Sequence, residues 1–273
     1  MEGVAAHAVL PAVLIGLLGG SLVGMTGIGA GSVIAALLLV FYPDVPPQVI
    51  VGSATLQAVV MKLAAVWARR QFHLGERRVG VTLALAAIPF AVAGAYTSSR
   101  LDAAMLRPIL SGALVLVGII LVLQALRRRG VEGEIIAAEN APTDEGVSAS
   151  TAGDPPKGRT LGIGAAVGYL AGLTSIGTGT LFVSALAGPL RIEAHRAVAA
   201  AILAGLLTLV VSAGTHALLG NIDPTLAIVT AIGSIPAVIF GTALGQRLPA
   251  GALRGVIGAG ILAAVGISLA RLS

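Results

Sequence analysis

Gly24-Met25-Thr26-Gly27-Ile28-Gly29-Ala30-Gly31-Ser32 interrupts an apolar run over 9–41, and Gly172-Leu173-Thr174-Ser175-Ile176-Gly177-Thr178-Gly179-Thr180 interrupts a second over 161–190. Neither run has a length that one bilayer crossing explains. A spanning helix needs about 20 apolar residues, so each run is too long for one span and too short for two. Glycine at this density lets the backbone leave the helix and lets other groups approach it closely. Each run therefore reads as two short helices joined at a glycine-rich turn.

Outward from these breaks lie further apolar segments at 49–68, 79–99, 104–126, 197–219, 225–246 and 251–270. Each has about the length of one spanning helix. The 273 residues are 56% hydrophobic, 11% charged and 3% aromatic, with mean hydropathy +0.98. Soluble domains carry about a quarter charged residues, so a water-soluble enzyme is excluded and a polytopic, all-α membrane protein is expected. The net charge of +5 sits in short clusters between apolar runs, where it acts as a topology signal; no nucleic-acid partner is expected. With no cysteine, disulfides, thiolate metal sites and cysteine nucleophiles are excluded. The opening MEGVAAHAVL lacks a basic n-region, so a cleaved signal peptide is not expected. Residues 130–159 are acidic, rich in glycine and proline, and without apolar period, which reads as a solvated linker.

The chain repeats itself. Gly24, Thr26, Ile28, Gly29 and Gly31 recur as Gly172, Thr174, Ile176, Gly177 and Gly179, at an offset of 148. At an offset of 147, Ile88-Pro89 matches Ile235-Pro236, Gly94 matches Gly241, and Leu106-Arg107 matches Leu253-Arg254. A duplicated unit with one indel explains the slip. The expected organisation is a first transmembrane repeat at 1–129, a cytoplasmic linker at 130–159 and a second repeat at 160–273.

Charge decides how the repeats face. If every segment crosses once, Arg100, Arg107, Arg191, Arg196, Arg247 and Arg254 fall on the side poorer in positive charge. If the two broken runs each enter and return on one side, only Arg100, Arg107 and Arg271 fall there. The positive-inside rule favours the second arrangement. It gives two inverted repeats, each a Gly-broken helical hairpin plus three transmembrane helices, with both termini outside.

A helix that starts inside a bilayer presents unpaired N–H groups and the positive end of its dipole, a ready anion site. Paired breaks in two halves point to a transporter's binding site. For one break, close packing by small residues is an equal alternative; two matched breaks in oversized runs favour a site. The candidate binding shell is Thr26, Gly27, Gly29, Gly31, Ser32, Thr174, Ser175, Gly177, Thr178, Gly179 and Thr180. Ser53, Thr55, Gln57 and Lys62 on segment 49–68 are secondary candidates. Lys62 has two readings: its ammonium snorkels to the interface near Arg70, or it faces the cavity and attracts an anion. On segment 197–219, Thr208, Ser212, Thr215 and His216 are polar, and His216, near the segment end, reads as an interface residue more readily than as a proton relay. All twelve acids fall in loops, chain ends or the linker. That disfavours a cation transporter and leaves no obvious proton-coupling group. Gly27-x-Gly29-x-Gly31 is no dinucleotide loop, because strand and βαβ context are missing. No catalytic set, metal site or cofactor is expected.

In its paired glycine motifs, each followed by an apolar run ending at proline (Pro43, Pro189), the sequence resembles the TauE/SafE sulfite exporter (TSUP) family. Val51-Gly52-Ser53-Ala54-Thr55, the basic stretch 69–78 and the Asn221-Ile222-Asp223 turn extend the likeness. The family's run has three adjacent glycines with proline soon after; here Ala30 and Thr178 interrupt the glycines. The resemblance implies a bacterial inner-membrane permease for sulfur-containing anions such as sulfite, thiosulfate, sulfoacetate or other organosulfonates. The competing readings are an anion channel and the membrane subunit of an ATP-driven transporter. The expected partners are a small anion and the lipid bilayer; a homodimer is compatible with such a chain. The inverted arrangement has a direct test in this cysteine-free chain: Val45→Cys and Ile222→Cys should both react with a membrane-impermeant thiol reagent in intact cells. Reaction at only one of them rules the inversion out.

Overall fold

The computed structural model describes residues 6–26, 30–69, 74–126, 157–176, 178–188, 190, 192, 194–245, 259–263 and 265–266. Every element among them is helical. The order is α1 (Ala6–Thr26), α2 (Ala30–Phe41), α3 (Pro47–Arg69), α4 (Leu74–Arg100), α5 (Ala103–Leu126), α6 (Lys157–Thr174), α7 (Thr180–Ala187), α8 (Ala194–Leu218) and α9 (Pro224–Gly245). The linker expected at 130–159 lies outside the described residues, apart from 157–159, which open α6.

Helix is forced by the setting, since backbone N–H and C=O groups in hydrocarbon must pair within their own segment. Leu74–Arg100, Ala103–Ile120, Arg196–Leu218 and Pro224–Gly241 are long and apolar enough to cross a membrane. The shorter apolar helices Val9–Ser21 and Gly31–Phe41 flank the first break. Large apolar side chains face outward: Leu85, Ile228, Ile232, Ile239 and Phe240 are all exposed. In a soluble protein this would be a liability, but against lipid it is the expected surface. The chain is a multi-pass membrane protein.

Helix starts follow familiar chemistry. Pro47 and Pro224 open α3 and α9, where the missing N–H would have no partner anyway. Asp223 Oδ1 accepts from the Leu226 amide at 3.1 Å, an N-cap that satisfies one orphan donor of α9.

Glycine sets the closest helix contacts. A Cβ on Gly16 would lie 2.3 Å from Thr230 O, one on Gly20 2.6 Å from Ser234 O, and one on Gly241 2.3 Å from Ser21 O. These contacts bring α1 and α9 together as parallel neighbours. The same crossing recurs with the halves exchanged, between α6 and α4. There a Cβ on Gly164 would lie 3.1 Å from Leu83 O, and one on Gly168 or on Gly94 would collide with Ala87 O or Tyr169 O. Each pair is displaced from its counterpart by the sequence offset of the repeat. Backbone approach of this kind is how helices associate where no hydrophobic driving force acts between them.

In the centre α3 and α8 run antiparallel. Gly52, near the start of α3, packs on Asn221 just past the end of α8, while Lys62 packs on Gly205 farther back in α8. The described loops fall at two ends. At one end Gln48 Nε2 donates to Leu101 O at 2.6 Å, Arg107 donates to Pro43 O, and Ser53 meets the Asp223 backbone. At the other, Gly75 packs beside the Arg196 guanidinium. Val45 and Ile222 thus belong to the same end of the bundle.

The glycine contacts predict a contrast. Gly168→Ala places a methyl against the Ala87 carbonyl and should destabilise by about 1–3 kcal/mol, the usual range for overpacking. Gly162, with nothing within 4 Å of its Cβ position, should tolerate alanine with a gain of up to about 1 kcal/mol. Thermal unfolding of the two variants in detergent checks the difference; equal melting temperatures would refute the packing role.

Candidate functional site

Both expected breaks are real interruptions of helix. α1 ends at Thr26 and α2 restarts at Ala30; α6 ends at Thr174 and α7 restarts at Thr180. The first run doubles back, since Gly19 on α1 packs on Ile34 and Val33 of α2. Gly27, Gly29 and Gly177, with the side chain of Thr26, lie outside the described residues.

At the second break the chain turns on its own polar groups. Thr174 Oγ1 donates to Leu170 O at 2.6 Å and accepts from the Ile176 amide at 3.2 Å. The Ser175 amide donates to Ala171 O at 2.8 Å. Ser175 then adopts φ +61°, the one non-glycine residue at positive φ among the described residues. An L-residue pays about 1–2 kcal/mol for that conformation, and such strain persists where surrounding structure over-determines it. Gly179 stands at the N-cap of α7 without a side-chain cap hydrogen bond, so the N-cap residue satisfies none of the helix's opening amides through a side chain.

The two breaks touch. A Cβ on Gly31, in the first turn of α2, would lie 2.3 Å from Ser175 O and 3.0 Å from Ser175 Oγ. Only glycine admits this approach. Ser175 is buried (2% exposed), and its hydroxyl has no hydrogen-bond partner. Buried hydroxyls are nearly always paired, so an orphan donor stands out where two interrupted helices meet. Ser32, next to Gly31, is buried, as are Thr178 and Gly179 just after Ser175, and Thr180 is half-buried.

Lys62 joins the second break. A Cβ on Gly205 would lie 2.8 Å from Lys62 Cε, 2.9 Å from Nζ and 3.1 Å from Thr178 O. The ammonium therefore lies against α8 and the turn at the second break. The other secondary candidates are elsewhere. Ser53 Oγ accepts from the Asp223 amide at 3.0 Å and donates to Asp223 O at 3.3 Å, locking α3 to the turn before α9. Thr55 Oγ1 donates to Val51 O of its own helix at 2.7 Å. Gln57, fully buried, donates from Nε2 to Ser234 Oγ at 2.9 Å, while its Oε1 has no partner. Gln57 thus faces α9 and Lys62 faces α8.

Two contacts were not readable from the sequence. Ser234 receives Gln57 and passes its own proton to Thr230 O at 2.7 Å; the Thr230–Ser234 spacing was the available signal. His216, read as an interface residue, is fully buried, with Nε2 2.9 Å from Gly172 O. Among the described residues no cluster of three or more His, Asp or Glu side chains could hold a metal ion. The strain at Ser175 gives a rank order: Ser175→Gly should be more stable than Ser175→Ala by about 1 kcal/mol, because both lose the hydroxyl and only glycine relaxes at positive φ. Thermal unfolding in detergent measures it, and an alanine variant at least as stable as the glycine one would contradict the strain.

Comparisons with known proteins agree with this architecture. The profile of the family described as sulfite exporter TauE/SafE matches residues 12–269, both breaks included. Two proteins of Bacillus subtilis (strain 168) are similar along most of their length. Probable membrane transporter protein YjnA is 26% identical over 247 residues, covering 86% of this chain and 89% of the relative. Probable membrane transporter protein YunE is 24% identical over 242 residues, covering 86% of each chain. No solved structure matches. A match spanning both broken runs and the helices between them places the chain in a family of membrane transporters: it belongs to the TauE/SafE sulfite exporter family.

Proposed function

We propose that this protein is a secondary transporter that moves a small sulfur-containing anion, such as sulfite, thiosulfate, sulfoacetate or another organosulfonate, across the bacterial inner membrane. The observation that carries the reading is the contact of Gly31 with Ser175. It brings two helix interruptions together and leaves a buried hydroxyl donor unpartnered between them. The anion's oxygens are held by amides of α2 and α7 at the positive ends of their dipoles and by the Ser175 hydroxyl. The Lys62 ammonium supplies the opposite charge from beside Thr178. Such donors suit an oxyanion, whose charge is spread over several acceptor oxygens.

The repeats are inverted, in this reading, with the binding site near the midplane and alternating access arising from movement of one repeat against the other. Parallel pairing of α1 with α9 and of α6 with α4, antiparallel α3 and α8, and Val45 and Ile222 at one end all support it. The basic stretch 69–78 and Arg196 then face the cytoplasm, as the positive-inside rule requires.

Purified protein in liposomes should take up labelled sulfite, thiosulfate or sulfoacetate without nucleotide; uptake that needs a partner ATPase removes the proposal. Lys62→Met should weaken apparent affinity for the transported anion by about tenfold or more, the scale of one hydrogen bond to a charged group. Ser175→Gly should weaken it in the same sense without loss of folded protein. Wild-type affinity in both variants would place the site elsewhere.

A further inference from the structure

We propose that His216 is the proton-coupling group of this transporter, its Nδ1 taking up one proton and releasing it again in each cycle as the anion moves. The proposal rests on the transport reading above and deepens it by naming the coupled ion.

The geometry fixes the chemistry of the ring. His216 Nε2 lies 2.9 Å from Gly172 O, and a carbonyl oxygen only accepts, so Nε2 carries the hydrogen. The neutral ring then has its lone pair on Nδ1. That atom is buried and has no hydrogen-bond partner, in a residue with 0% exposure. Histidine is the side chain whose ordinary titration lies nearest neutrality, and this one is buried inside the helix bundle, two residues before the end of α8.

A second observation ties this group to the anion site. Thr208, Ser212 and His216 recur every fourth residue on one face of α8, and all three are fully buried. Gly205, three residues before Thr208, is where Lys62 and Thr178 meet. The Ser212 hydroxyl, like His216 Nδ1, has no partner. The stripe from Gly205 to His216 is about 16 Å long at 1.5 Å per residue. Successive positions on it are about 5–6 Å apart at Cβ, a gap that one water can bridge. Thr208 Oγ1 donates to Ala204 O at 2.7 Å and offers only its lone pairs. The Ser212 hydroxyl next to His216, by contrast, can receive a proton on a lone pair and release its own to the next acceptor, so a proton reaches or leaves Nδ1 with no net change at Ser212. His216 also holds the last turn of α6 before the second break through Gly172.

The other titratable groups on the elements around α8 do not substitute for it. Lys62 on α3 stands at the far end of the stripe. Glu76, Arg77 and Arg78 on α4, Lys157 and Arg159 on α6, and Arg196 on α8 itself belong to the opposite end of the bundle. At His216's own end, Arg100 is stacked on Tyr96, 4.8 Å from the ring centroid, and both are exposed. The Asp223 carboxylate caps α9, and Tyr169 on α6 is half-buried. A positive charge gained on Nδ1 offsets the anion's charge in a medium where unbalanced charge is costly, so proton and anion travel in the same direction.

The test uses wild-type protein in liposomes loaded with a pH-sensitive dye, with sulfoacetate and thiosulfate as the anions. Both are fully ionised near neutral pH and carry no proton themselves. Wild type should move protons with the anion, and an inward proton gradient should drive concentrative uptake. His216→Gln keeps an amide donor for Gly172 O but cannot titrate; it should pass the anion down its own gradient, with proton movement reduced to that of empty liposomes. Anion uptake by wild type without proton movement, or wild-type proton flux in His216→Gln, overturns the proposal. If wild type moves neither anion, the transport reading falls and the proposal falls with it. Should His216→Gln not fold, Ser212→Ala should lower proton flux while leaving the melting temperature unchanged; undiminished proton flux in that variant is equally fatal.

Discussion

A helix that stops inside a bilayer leaves amides with no water to turn to, and each unsatisfied group there costs several kcal/mol. Two helix interruptions occur in this chain, and they are placed against each other, with Gly31 seated on the backbone and hydroxyl of Ser175. Neither break would be tolerable facing lipid. Brought together inside the bundle, their loose polar groups form one shared interior position instead of two separate defects. The turn at Thr174 and Ser175 satisfies what it can through local hydrogen bonds. What it leaves over is one strained residue and one unpaired hydroxyl.

The surrounding helices make that meeting possible by approaching one another at glycine. On both sides of the molecule the first helix of one half lies along the fourth helix of the other, with carbonyl oxygens where side chains would normally begin. Gly16 and Gly20 have their counterparts in Gly164 and Gly168, and Gly241 in Gly94. These residues contribute no apolar area. Their effect is to let dispersion and weak backbone contacts act over a shorter distance, the main attraction available between helices already surrounded by hydrocarbon.

Much of this was legible in the sequence, because bilayer thickness converts run length directly into structure. The oversized runs at 9–41 and 161–190 announced the interruptions, and the repeat offset announced a duplicated unit, though not which helices would cross. Charge counting separated Arg100 and Arg107 from the basic stretch 69–78, and the described contacts place these at opposite ends. What could not be read was which partner each polar side chain finds. Periodicity assigns Ser53, Thr55, Gln57 and Lys62 to one helix, but it does not say that Ser53 would bind a turn, Thr55 its own backbone, Gln57 α9 and Lys62 α8. Those outcomes depend on crossing angles and on which neighbour has a glycine at the right level. His216 was misjudged for the same reason: its distance from the helix end was visible, but not the Gly172 carbonyl that awaits it.

The exchanged pairing of α1 with α9 has a consequence for biosynthesis. The ribosome completes α1 first, yet the surface against which Gly16 and Gly20 pack is made after more than half the remaining chain has emerged. Until then α1, with a proline at position 11 and an abrupt stop at Thr26, lacks its principal neighbour. The halves are therefore not successive domains that mature in turn. They are interlocked pieces of one assembly, in which α1 and α4 gain their main neighbours only once the second half has emerged.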